Sequence, residues 1–113
     1  MSNESNSKLT RTICGNFWHD ANNKLHRDGG PAIEYVGRMK IWYQHGDHHR
    51  EDGPAIEDAN GDKYWYQHGQ RHREEGPAVE RANGTKEWWI EGKQLNTSSQ
   101  EEFERYIKLK AFW

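Results

Sequence analysis

The chain has 113 residues with 16 Lys and Arg against 18 Asp and Glu, a formal charge of −2, so it lacks the basic excess of a nucleic-acid-binding domain. Only 32% of residues are hydrophobic, below the roughly 45–50% of ordinary domains. Six Trp, five Tyr and three Phe nevertheless provide a core of rings, and no stretch approaches the roughly 20 apolar residues that span a bilayer.

Residues 1–12 open the chain with a polar segment expected to be flexible, without the apolar centre of a signal peptide. Cys14 stands alone, which excludes an intramolecular disulfide and favours a reducing, cytoplasmic compartment, or the host cytoplasm for a viral protein. From residue 13 to 96 one phrase recurs. His26-Arg27-Asp28-Gly29-Gly30-Pro31-Ala32-Ile33-Glu34 returns from His49 to Glu57 and again from His72 to Glu80, at a fixed offset (49 − 26 = 23 and 72 − 49 = 23). A constant period of this size marks a stacked-repeat architecture, here about three and a half repeats.

Within a repeat, Pro54 to Ala59 reads as a strand, Asn60-Gly61 as a hairpin turn, since both residues tolerate positive φ, and Asp62 to Gln67 as a second strand. His68-Gly69 makes a second reversal, and Glu74-Glu75-Gly76-Pro77 is a connector. The expected fold is therefore mainly all-β: an antiparallel β-hairpin repeat meander forming a single elongated sheet. The first copy is degraded, because Asp20 to Leu25 makes its turn at least one residue longer. Residues 97–113 form the C-terminal cap. Ser98 with Glu101, or Ser99 with Glu102, makes a capping box, and Phe103, Tyr106, Ile107, Lys110 and Trp113 form one apolar helical stripe that docks on the open end of the sheet.

The pattern Trp-Tyr-x-x-Gly-x-x-His-Arg-Glu-Asp-Gly-Pro-Ala-Ile-Glu-x-Ala-Asn-Gly resembles the MORN-like repeats of phage, bacterial and giant-virus proteins, over about residues 17–107. The ending Trp89-Ile90-Glu91-Gly92-Lys93-Gln94-Leu95-Asn96, followed by an acidic helix, is similar to the way such arrays finish. The resemblance implies hairpin repeats and, from better-studied MORN proteins, scaffolding, dimerisation or membrane association. The chain departs in places from their Tyr-x-Gly-x-Trp spacing.

Two rows of residues are candidate binding groups. Trp42-Tyr43, Trp65-Tyr66 and Trp88-Trp89 are neighbours, so on a strand their rings point to opposite faces. One column builds the core. The other, Tyr43, Tyr66 and Trp89, either is covered as well or offers an aromatic face to a flat ring, a sugar or a partner. The steps His26-Arg27, His49-Arg50 and His72-Arg73 form either a ladder of ion pairs with neighbouring acids or an anion pocket for phosphate or carboxylate. The cluster His45, His48 and His49 with His68 and His72 matches no established metal spacing, and Cys14 with His19 lacks a third orienting group. No catalytic residue, metal or cofactor is assigned. The expectation is a non-enzymatic module, such as a phage or bacterial accessory protein, that binds a protein partner or acts as a scaffold, with an open sheet edge available for a homodimer. The alternative is an anti-defence protein that sequesters a small anionic or nucleotide-like ligand between the His-Arg rows and the rings.

Overall fold

The computed structural model describes residues 7–110, so residues 1–6 and Trp113 of the apolar stripe lie outside the described residues. The chain opens with a hairpin of β1 (Lys8–Arg11) and β2 (Gly15–His19). Three repeats follow, each with four short strands. They are β3 (Ile33–Tyr35), β4 (Lys40–Ile41), β5 (Tyr43–Gln44) and β6 (Asp47–His48) in the first, and β7 (Ile56–Glu57), β8 (Lys63–Tyr64), β9 (Tyr66–Gln67) and β10 (Gln70–Arg71) in the second. The third has β11 (Val79–Glu80), β12 (Lys86–Glu87), β13 (Trp89–Ile90) and β14 (Lys93–Gln94), and α1 (Gln100–Lys110) ends the described chain.

Eight of these strands form one antiparallel meander in the order β1-β2-β3-β4-β7-β8-β11-β12, and the others form three two-stranded hairpins, β5-β6, β9-β10 and β13-β14. The expected repeat meander is thus present, with a second layer of hairpins beside it. The split between layers occurs at a tryptophan. The Trp42 N–H donates to the Ala55 carbonyl of the meander at 2.7 Å, while the Trp42 carbonyl accepts from the His49 N–H of the hairpin layer at 3.1 Å. Trp65 repeats this with Ala78 and His72, and Trp18 with Ala32 and His26. One strand therefore serves two sheets, which a reading of two strands per repeat does not resolve.

Loop length decides the type of each turn. At Asn60-Gly61 only the glycine has positive φ, and the Gly61 N–H donates to the Asp58 carbonyl at 3.1 Å. This is the three-residue solution, a type I turn closed by a left-handed glycine. The two-residue loops His45-Gly46, His68-Gly69 and Glu91-Gly92 are the ones with both residues at positive φ, because Gln67 pairs directly with Gln70 across such a loop.

The segment read as flexible is partly a strand. β1 pairs with β2 from Lys8↔His19 to Arg11↔Asn16, and the Thr12 hydroxyl helps close the turn by accepting from the Gly15 N–H at 3.2 Å. Pairing, not burial, holds this strand, since all four of its residues are exposed. Its outer edge is open among the described residues.

Ala32, Ala55 and Ala78 are fully buried, and Ile33, Ile41 and Val79 join them as the repeated core. At the far end Trp88, Ile90 and Phe103 form a cluster, with Leu95, Tyr106 and Ile107 packed against it. Ser99 caps α1 by accepting the Glu102 N–H at 3.2 Å, and Glu102 accepts from the Ser98 hydroxyl at 2.8 Å. The helix thus docks on the terminal repeat with the expected apolar stripe. Truncating fully buried Phe103 to Ala is expected to cost about 3–5 kcal/mol in urea unfolding. Arg105→Ala, which breaks only an exposed i,i+4 pair with Glu101, should cost less than about 0.5 kcal/mol.

Candidate functional site

The two predicted rows meet at the junctions between repeats. In each two-residue turn the first residue is left-handed, at φ 48° for His45, 52° for His68 and 50° for Glu91. Its N–H points at the previous repeat, where a histidine Nδ1 accepts it: His45 to His26 at 3.0 Å, His68 to His49 at 2.9 Å and Glu91 to His72 at 2.9 Å. Each acceptor nitrogen must be unprotonated, so each of these imidazoles carries its proton on Nε2. The following glycine N–H adds a backbone bond, as from Gly69 to the His48 carbonyl at 2.9 Å.

The arginine beside each histidine turns the other way. The Arg27, Arg50 and Arg73 guanidinium carbons lie 3.9, 3.9 and 4.0 Å from the ring centroids of Trp18, Trp42 and Trp65. Nη1 of Arg50 donates to the Pro54 carbonyl and to Glu57 Oε2, both at 3.1 Å, and Arg73 does the same with Pro77 and Glu80. Arg27 makes longer contacts of this kind with Pro31 and Glu34. The glycine in each phrase makes room, since a Cβ on Gly53 would sit 2.9 Å from Arg50 Cζ. His26, His49, His72 and Arg27, Arg50, Arg73 are therefore engaged within the fold. The groove between the second and third phrases is lined by Glu51, Asp52, Glu74 and Glu75 beside Arg73, a balance that repels an anion.

The other row is a filled stack. His48 lies between the rings of Tyr43 and Tyr66, with centroids 4.5 and 4.8 Å away. The Arg71 guanidinium lies 5.9 Å from the Tyr66 ring and 5.0 Å from the Trp89 ring, and its Nε–H donates to the Tyr66 hydroxyl at 3.1 Å. Cross-strand pairing places these groups, with Tyr43 opposite His48 and Arg71 opposite Tyr66. All five side chains are half-buried, so the column is neither sealed core nor open face. Burial raises the Tyr43 hydroxyl pKa, with Tyr35 and Tyr66 adding to the effect, and burial lowers that of His48. Glu87 is held below its ordinary value first by its hydrogen bond from Arg81, at 2.6 Å. His48 and Arg71 were absent from the predicted row. Their signal was the two-residue turn, which sets residue i+5 opposite residue i.

At the first junction Asp20, His26 and His45 offer donor atoms within 4.8 Å of one another. Asp20 Oδ1 accepts the Asn22 and Lys24 N–H groups at 2.9 Å, and Oδ2 lies 2.7 Å from His45 Nδ1. The hydrogen bond with His45 leads the effects that hold the Asp20 pKa down at about 2. The His26 and His45 rings stack at 4.0 Å and 25°, and His26 Nδ1 is already engaged. Parallel rings cannot both aim in-plane lone pairs at one ion, so this trio is built as a hydrogen-bonded set. Cys14 lies in the β1-β2 turn and His19 at the other end of the hairpin, so they do not form a nucleophile pair.

Compared with known protein families, curated proteins and solved structures, the chain finds no match. Among the described residues, no helix is long and apolar enough to cross a membrane.

A methyl group at Gly53 tests the Arg-Trp arrangement. Gly53→Ala should dislodge Arg50 from Trp42 and cost about 1–3 kcal/mol in chemical unfolding. Gly37→Ala, with nothing within 4 Å of its Cβ, should change stability by no more than about 1 kcal/mol.

Proposed function

We propose that this chain is a non-enzymatic, MORN-like repeat module that holds a protein partner along the column Tyr43-His48-Tyr66-Arg71-Trp89. The observation that carries this reading is that the column is filled yet only half-buried. Tyr66 already has neighbours in the fold, the His48 ring at 4.8 Å and the Arg71 side chain bonded to its hydroxyl, which leaves less room for a flat ligand. These five half-buried side chains are already held by neighbours within the fold before anything binds. Trp, Tyr and Arg dominate the energetics of protein interfaces, and side chains already immobilised lose little entropy on association. The engagement of the three His-Arg pairs within the fold favours this partner reading over sequestration of a small anion.

The test is site-specific photo-crosslinking in cells that produce the chain. A crosslinker at Tyr43 and another at Trp89 should capture the same protein, and one at Arg38 in the β3-β4 turn should not. Arg71→Ala should weaken binding of the captured protein about tenfold. Adducts at Arg38 equal to those at Tyr43, or undiminished binding by the Arg71 variant, would count against the column. Nucleotides and inorganic phosphate should leave the melting temperature of the unmodified chain unmoved.

A further inference from the structure

Although the three junctions repeat one backbone design, they differ in the charges around it. At the first, the His26-His45 pair is flanked by Asp20, 2.7 Å from His45, and by Asp28, 3.4 Å from His26. The third has no second imidazole: Glu91 occupies the turn, itself 3.5 Å from Lys110, and Glu74 lies 4.0 Å from His72. The second stacks His49 on His68 with centroids 4.5 Å apart and, among the described residues, has no buried carboxylate against them. Glu51, 3.9 Å from His49 Nε2, is largely in solvent, and Asp47 is exposed. On the other side of His68 lie His72, Glu74 and Glu91. The neighbouring His48 is wedged between Tyr43 and Tyr66, with Asp47 as its charged neighbour.

We infer that the second junction is an acid-operated hinge: protonation of His49 releases hairpin β9-β10 from hairpin β5-β6 while the meander stays paired. Three hydrogen bonds join these hairpins at the junction. They run from the His68 N–H to His49 Nδ1 at 2.9 Å, from the Gly69 N–H to the His48 carbonyl at 2.9 Å, and from the Arg50 N–H to the Tyr66 carbonyl at 3.1 Å. A proton on His49 Nδ1 abolishes the first and sets two donors face to face beside a second imidazole. Burial, then His68, depresses the His49 pKa, and burial depresses that of His48. The folded state therefore binds fewer protons at these groups than the unfolded state. Their contribution is complete above the ordinary histidine value of about 6.5 and drains away as the pH falls through the lower folded value. β7 remains paired with β4 and with β8 throughout, so the opening is local. It separates His48 from Tyr66 and cuts the ring column in two. The consequence for a partner rests on the function proposed above; the hinge itself does not.

Amide hydrogen exchange followed by NMR tests the hinge without any partner. Between pH 7.5 and 5.0, protection factors of the His68, Gly69 and Arg50 amides should fall about tenfold or more, while those of His45, Gly46, Glu91 and Gly92 change less than about threefold. His49→Asn supplies an acceptor oxygen that does not titrate and should reduce the acid loss of central protection to the part that His48 contributes. His68→Asn removes the stacked imidazole, keeps a residue that tolerates the left-handed turn, and should shrink the loss. The idea is overturned if the central amides are no more acid-sensitive than the flanking ones. It is equally overturned if every folded variant that lacks His49 or His68 shows the same loss as the parent chain.

Discussion

One hydrogen bond per junction helps set the geometry of the hairpin layer. The two-residue turn of each repeat needs a left-handed residue, and that conformation directs its N–H away from its own hairpin. Left without an acceptor, such a group costs about 1–3 kcal/mol when shielded from water. The histidine 19 residues earlier supplies the acceptor, beside backbone bonds from the next glycine N–H and from the arginine N–H across the same junction. Ring and backbone bonds together fix how far each hairpin stands from the next. The distance from Tyr43 through His48 to Tyr66 follows from that separation, and so does the shape of the column.

The repeated phrase reads as a single device once the histidine is understood. Histidine and arginine are adjacent, so one reaches forward to the next turn and the other returns over the tryptophan of its own repeat. The guanidinium donates within its own plane, and its Nη1 reaches the proline carbonyl four residues on and the glutamate seven residues on. The glycine before that proline leaves the space the guanidinium fills. Alanine follows because its carbonyl binds the tryptophan N–H and it packs in the fully buried centre of the meander. At the end of the array Leu95 stands where the histidine would be, and its N–H still donates to the Trp88 carbonyl at 2.8 Å. No arginine follows, and α1 covers Trp88 instead, with Gln100 accepting its indole N–H at 3.0 Å.

Much of this was legible in the sequence, for reasons particular residues make clear. The 23-residue period, the longer first turn after Trp18 and the helix over Phe103 all follow from local spacing. The helix starts at a Ser99 cap and carries its apolar stripe at helical intervals. What escaped depended on pairing. Asn60-Gly61 tolerates positive φ at both residues, yet loop length decides which residues adopt it, and the two-residue loops lie at the His-Gly and Glu-Gly steps. The strand character of residues 8–11 arises from pairing with β2, which four exposed residues do not announce. The contact of Asp20 with His45 joins residues 25 apart across a junction that only the folded stack creates.

Repetition also sorts structure from chemistry. Positions identical in every copy are occupied with holding the copies together: His, Arg, Gly, Pro, Ala and Trp each have a partner inside the fold. The cross-strand position facing the ring column is different. It holds Leu25 beside His19, then His48, Arg71 and Gln94 in successive copies. A position that differs in every copy is not needed to stack the repeats, since the backbone bonds on either side are the same. It is therefore free to give each copy a different surface, running from apolar through titratable and cationic to neutral polar along the column. Such a graded edge gives the two ends of the array different surfaces, which a uniform array of identical repeats does not do.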